Sequence, residues 1–267
     1  MDLKDTCFSL EGKVVALTGG SGLIAMRAVR HLPRYGARLV LGVRNVGRFE
    51  EKLREIHYPQ ETFRPSCFHL DLGEQATVKS FFHQVKEEFQ HLDVLINNAF
   101  PRTEDWLVKF EEVEAESLYK NLCDHAGGYF LCCQEAAKTM MAQKAGVILN
   151  LGSIYGEVGP HFSIYEGTEM TSPAAYPLIK GGVHAFTRYL AAYLGPYGIR
   201  VNCLSPGGIK DESQQPPAFI NHYIQQTPLG RMGDPEDMLG PLIFLISEAS
   251  RYVTGQVLFA DGGWTCW

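Results

Sequence analysis

No run of apolar residues in this chain approaches the length of a membrane span, and lysine and arginine nowhere gather into a long basic stretch. The balance is acidic, with a formal net charge of −6. Neither nucleic acid nor an anionic membrane is an expected partner, because both demand clustered cations. The opening Met1-Asp2-Leu3-Lys4-Asp5 carries acids with no apolar segment behind it, so no secretory leader is expected and the expected location is the cytoplasm. Cysteine is sparse and odd in number, at seven. Cys132 and Cys133 lack the two-residue gap that metal sites favour, and no histidine stands at ligand spacing from them. Buried reduced thiols and no metal are expected. Linkers, low-complexity tracts and internal repeats are also missing, so one domain is expected over residues 1–267.

What is present is apolar material for a large core, 45% of 267 residues, cut into short pieces. Strands are predicted at Val14–Leu17, Leu39–Val43, Cys67–Leu70, Val94–Ile96, Val147–Leu151, Ile199–Leu204 and Gln256–Ala260. Most are apolar at consecutive positions, the pattern of strands covered on both faces. Helical patterns lie between them, among them Thr77–Phe89, Glu114–Gln143, Ala174–Tyr197 and Pro235–Ser250. The alternation predicts an α/β fold: a Rossmann-type, doubly wound, mostly parallel seven-stranded sheet with helices on both faces.

The first strand runs into Thr18-Gly19-Gly20-Ser21-Gly22-Leu23-Ile24-Ala25 and then a helical segment. A pyrophosphate must approach backbone N–H groups at a helix N-terminus, where side chains would obstruct it. Gly19 suits the tight turn, Gly22 the close approach and Ala25 the packing of helix on strand, with Ser21, Leu23 and Ile24 expected beside the coenzyme. Such a turn alone also fits an ordinary strand-to-helix loop. Asp71-Leu72 closes the third strand, where a carboxylate can reach an adenine, and Asn97-Asn98-Ala99 closes the fourth, where amides can brace the loop. Each alone reads equally as a strand-end cap. Ligands gather at the carboxyl ends of such strands, so the three together point to a dinucleotide. The second strand ends Val43-Arg44-Asn45 without an acid to hold ribose hydroxyls. Arg44 can pair with a 2′-phosphate instead, so NADP is the expected coenzyme and NAD the alternative.

Ser153 stands at the end of the fifth strand, and Tyr176 and Lys180 lie four apart on a helix, on one face. A phenol with a pKa near 10 is a slow acid–base group at neutral pH. An ammonium beside it is expected to lower that value, and a serine can hold the reacting oxygen against it.

On these residues the chain resembles the short-chain dehydrogenase/reductase family, from Leu10 to Trp267. The likeness takes in the glycine turn, Asp71, Asn97-Asn98-Ala99, Ser153, Tyr176, Lys180, Asn202, Pro206-Gly207 and the ending Asp261-Gly262-Gly263-Trp264. The resemblance implies that Tyr176 is the acid–base, Lys180 its electrostatic partner and a ribose ligand, and Ser153 the carbonyl anchor. It places Pro206, Gly207 and Ile209 at the nicotinamide and implies a small-molecule substrate and a homodimer or homotetramer. The chain also departs from the family pattern. Glycine spacing follows the extended branch, Phe100 replaces a glycine, and Lys210 and Asp211 stand where a threonine is usual. The family's relay asparagine aligns with His125, with Asn121 one turn earlier; either is a candidate, and a lone histidine on a helix also reads as structural.

Twenty-three positions separate Ser153 from Tyr176, more than in most relatives. The added segment, residues 159–171, mixes rings, hydroxyls and acids, a composition that suits a sugar and equally a packed surface loop. Ser153-Ile154-Tyr155-Gly156, Ile164-Tyr165-Glu166-Gly167-Thr168 and Met170-Thr171-Ser172-Pro173 are similar to members tied to flagellin modification and nonulosonic-acid sugars. Residues Asp211–Pro217, polar and proline-rich, are expected to form a lid. The expected activity is hydride transfer between nicotinamide and a carbonyl or hydroxyl of a polar, sugar-derived substrate. The alternatives are a 3-oxoacyl reductase and a catalytically silent cofactor-binding scaffold or sensor.

Overall fold

The computed structural model describes residues 6–58 and 62–267. Seven strands form one sheet in the order β3-β2-β1-β4-β5-β6-β7, and every neighbouring pair is parallel. They are β1 Val14–Thr18, β2 Arg38–Val43, β3 Ser66–His69, β4 Val94–Asn97, β5 Gly146–Leu151, β6 Ile199–Pro206 and β7 Val257–Ala260. Each predicted strand is found with its ends shifted by no more than two residues.

The consecutive apolar pattern has a direct cause. Along β1, Val14 and Ala16 enter one core while Val15 and Leu17 enter the other. Side chains alternate across a strand, so a sheet covered on both faces must be apolar at every position. Helices α3 Gln75–Phe89, α5 Gly128–Gln143 and α6 Ala175–Leu194 cover the first face. Helices α1 Leu23–His31 and α8 Leu239–Ile246 cover the second. Among the described residues, no helix is long and apolar enough to cross a membrane.

Four differences from the sequence-based expectation matter. Helix α2, Val46–Arg54, was not predicted, nor was α7, Pro217–Gln225, which follows the expected lid and packs Phe219 and Tyr223 inward. The predicted helix Glu114–Gln143 is not continuous: α4, Ala115–Asn121, passes through a π-helical turn at Leu122–Gly127 into α5. The long patterns at 174–197 and 235–250 are α-helical only in part, with 3₁₀ turns at Gly195–Tyr197, Pro235–Met238 and Glu248–Ser250. All seven cysteines are free thiols, but only Cys132, Cys133 and Cys203 are buried; Cys7, Cys123 and Cys266 are exposed.

Candidate active site

At the end of β1 the chain turns sharply. Gly19 has φ of +74°, and a Cβ there would lie 2.5 Å from the Ala99 backbone, so glycine is required. Thr18 and Asn98 tie this turn to the end of β4. The Thr18 hydroxyl accepts from the N–H groups of Asn98 and Ala99, each at 3.1 Å. The Asn98 amide donates to the carbonyls of Thr18, at 3.2 Å, and Gly19, at 2.9 Å. Gly22 stands at the N-cap of α1, which has no side-chain cap and no acid in its first turn. A Cβ on Gly22 would meet nothing within 4 Å, and Ser21 and Leu23 are exposed while Ile24 is half-buried. Uncapped N–H groups facing open room, with no negative charge beside them, fit the pyrophosphate of a dinucleotide.

The other residues expected beside a coenzyme lie along neighbouring strand ends. Arg44, just after β2, is exposed, its side chain unpaired among the described residues, while its carbonyl contacts His69 Nδ1 at 3.0 Å. Asn45 caps α2 by accepting from the Arg48 N–H, which leaves a second exposed arginine on that edge. After β3, Asp71 is half-buried and accepts from the Gly73 N–H at 3.0 Å, and Leu72 packs where a Cβ on Gly128 would lie. At the end of β6, the Gly207 N–H donates to the Ala260 carbonyl, and Ile209 is half-buried beside Gly233.

Ser153 follows β5 and is buried, its hydroxyl accepting from the Tyr155 N–H at 3.2 Å. Lys180 and Tyr176 share a face of α6, with Lys180 Nζ 5.7 Å from the Tyr176 ring centroid. Lys180 is buried, donates to the Leu151 carbonyl at 2.7 Å and lies 3.3 Å from His125 Nε2. Burial drags the Lys180 amine down to about 8. Burial, and then the Lys180 charge, hold His125 well below the ordinary imidazole range. His125 is therefore neutral, and its Nε2 accepts from the ammonium, which puts the ring proton on the unpartnered, buried Nδ1.

The phenol behaves differently from the sequence-based expectation. Burial pushes Tyr176 up, opposed by a hydrogen bond with Ser153. Desolvation of the phenolate outweighs what favours the charged form.

The two relay candidates separate. Asn121 Oδ1 accepts from the Thr103 N–H at 3.1 Å, and its amide donates to the Thr103 hydroxyl at 2.7 Å and the Ser117 carbonyl at 2.9 Å. It pins the loop after β4, whereas His125 meets Lys180. That loop carries groups absent from the sequence-based candidates. The Phe100 ring lies 5.4 Å from Tyr176, 5.2 Å from His125 and 5.4 Å from Trp106, each edge-on. The signal for Phe100 was its departure from the usual glycine; Trp106 gave none. His184 is a further omission, buried one turn below Lys180 with Nε2 2.7 Å from the Ser205 hydroxyl. Within residues 159–171, Ile164 is buried and Tyr165 stacks on Phe219, while His161, Phe162, Ser163 and Glu166 stay exposed. The segment is thus anchored through Ile164 and Tyr165 and exposed elsewhere.

A family model described as Enoyl-(Acyl carrier protein) reductase matches residues 21–265. The chain is 35% identical to a 3alpha-hydroxysteroid dehydrogenase of Mediterraneibacter gnavus, covering 95% of this chain and 97% of that one. It is 31% identical to the Post-translational flagellin modification protein A of Campylobacter coli, over 96% and 99%. Among solved structures, a short-chain dehydrogenase of Leptospira borgpetersenii with bound NAD+ superposes with a TM-score of 0.85 at 35% identity, over 99% of this chain and 97% of that one. A gluconate 5-dehydrogenase of Burkholderia cenocepacia in complex with NADP and tartrate gives 0.82 at 28%, over 97% and 98%.

Proposed function

Because the chain belongs to the short-chain dehydrogenase/reductase family and is an NAD(P)-dependent oxidoreductase, we propose that it is an NADP-preferring enzyme acting on a keto or hydroxyl group of a polar, sugar-derived compound. One observation carries the catalytic part: Ser153, Tyr176 and Lys180 meet at the carboxyl edge of the sheet, with Lys180 held between Leu151 and His125. When bound, the reduced nicotinamide supplies the hydride for the carbonyl carbon. Ser153 holds the carbonyl oxygen, and Tyr176 gives it the proton. The raised phenol suits this direction, since it keeps the proton in place at neutral pH until charge develops on the substrate oxygen. Lys180, still an ammonium below about 8, stabilises the phenolate left behind, and His125 keeps Nζ aimed at the site.

Coenzyme choice rests on Arg44 and Arg48 and on the lack of an acid at the end of β2. The gluconate dehydrogenase and flagellin-modification relatives support a polar substrate, as do the hydroxyls of Tyr155 and Tyr165, 3.4 Å apart. The steroid dehydrogenase relative, together with the rings of Phe100 and Trp106, favours a second reading in which the substrate is an apolar ring system.

The test is Tyr176→Phe. Turnover falls by about 10²- to 10⁴-fold, the range for loss of a positioned proton donor, while NADPH still binds. Unchanged turnover in that variant removes the assignment.

A further inference from the structure

Two residues beyond Phe100, Arg102 is an exposed guanidinium standing 5.9 Å over the Phe100 ring. The same ring packs edge-on against Tyr176 at 5.4 Å. A cation is thus held one ring away from the phenol, on the loop that Asn121 fixes through Thr103. Its side chain has no hydrogen-bond or ion-pair partner among the described residues. The nearby acid Asp105 is engaged elsewhere, accepting from the Ser117 hydroxyl at 2.7 Å. On the segment after β6, Lys210 is paired with Glu212, so its charge is already matched.

We propose that Arg102 binds an anionic oxygen group of the substrate, a carboxylate or a phosphate, at the end remote from the reacting carbon. This rests on the reading of Tyr176 as the group at that carbon. A guanidinium presents a planar fork that matches either anion with two parallel hydrogen bonds. The negative face of the ring attracts the guanidinium and so favours a position for it beside Tyr176. An anion there places the remainder of the substrate across the Phe100 ring, with its carbonyl or hydroxyl toward Ser153 and Tyr176. In a chain of net charge −6, an unmatched cation at the cleft also singles out anionic compounds from neutral ones of the same shape.

The experiment compares probes that differ in charge on matched scaffolds: gluconate, glucitol 6-phosphate and glucitol, then cholate and its neutral C24 alcohol. Each is titrated by calorimetry into NADPH-saturated protein, and its oxidation is followed with NADP+. In wild-type protein an anionic member binds at least ten-fold tighter than its neutral counterpart, with the carboxylate and phosphate arms identifying which anion is taken. In Arg102→Ala that ratio collapses toward one, and in Arg102→Lys it is only partly kept. A ratio near one in the wild type on both scaffolds, or a ratio that survives Arg102→Ala, overturns the proposal. Charge-selective binding without oxidation of any bound probe leaves the anion site standing and counts against the dehydrogenase reading instead.

Discussion

Lys180 is buried yet must carry charge, and its ammonium has three donors to place. Leu151 takes one and His125 another, which leaves a third for a ribose or a phenolate. The amine sits at about 8, so the ammonium is fully present below that pH and is lost as pH rises through it. Reduction, which needs the ammonium beside the forming phenolate, therefore declines above about pH 8. Replacing His125 with leucine removes an acceptor that favours the charged form, so the declining limb moves to lower pH, and kcat drops about 10-fold or more. His125→Asn restores an acceptor and returns the limb toward the wild-type position. A pH–rate profile of the three proteins decides this; a merely structural histidine would cost stability and leave the limb where it was. That Ser153 ends a strand and that Tyr176 and Lys180 share a helix face were legible in the spacing. The state of the phenol was not, since burial is a property of the packed site.

At the scale of elements, the π-helical turn between α4 and α5 sets which side chain faces the lysine. On a continuous α-helix Asn121 and His125 share a face. A wider turn changes the angular phase between them, so Asn121 meets the Thr103 loop while His125 meets Lys180. Sequence spacing alone left both open for that reason. Just beyond the turn, Gly128 lies against the end of the β3 connection, where an added Cβ would come within 2.6 Å of Leu72 Cβ. Helix propensity favours alanine there by about 1 kcal/mol, whereas overpacking costs about 1–3 kcal/mol. The contacted atom is the root of a side chain that cannot swing away, so the clash wins. Gly128→Ala is expected to destabilise the protein, read as a lower urea midpoint with an unchanged slope; a raised midpoint would show that α5 yields freely.

For the whole molecule, the glycine turn, the two arginines after β2 and the ends of β4, β5 and β6 open on one edge of the sheet. The order β3-β2-β1-β4 reverses direction between β1 and β4, which opens a crevice where ligands bind in such sheets. Coenzyme bound there links distant parts of the chain and stabilises the folded state by mass action. At about a hundred times Kd the gain is about 2.7 kcal/mol, a rise in Tm of about 5–10 °C for a chain of this size. NADPH is expected to give a larger rise than NADH at equal concentration, and Arg44→Ala to erase most of the difference. Equal shifts with the two coenzymes in the unmodified protein would remove the argument from Arg44.

The sequence by itself determined the parallel sheet, the sharp glycine turn at the end of β1 and the placing of Tyr176 and Lys180 on one helix face. Those features follow from local rules: apolar runs for strands covered on both faces, glycine where the backbone turns with positive φ against a neighbouring strand end, and two groups four apart on one helix. Only the tertiary structure decided that His125 rather than Asn121 holds the lysine, that Phe100 bridges Tyr176 and Arg102, and that part of the 159–171 segment is anchored on α7. Each of these depends on how separate elements pack against one another and on how far burial shifts a charge, and neither quantity is written in the spacing along one chain.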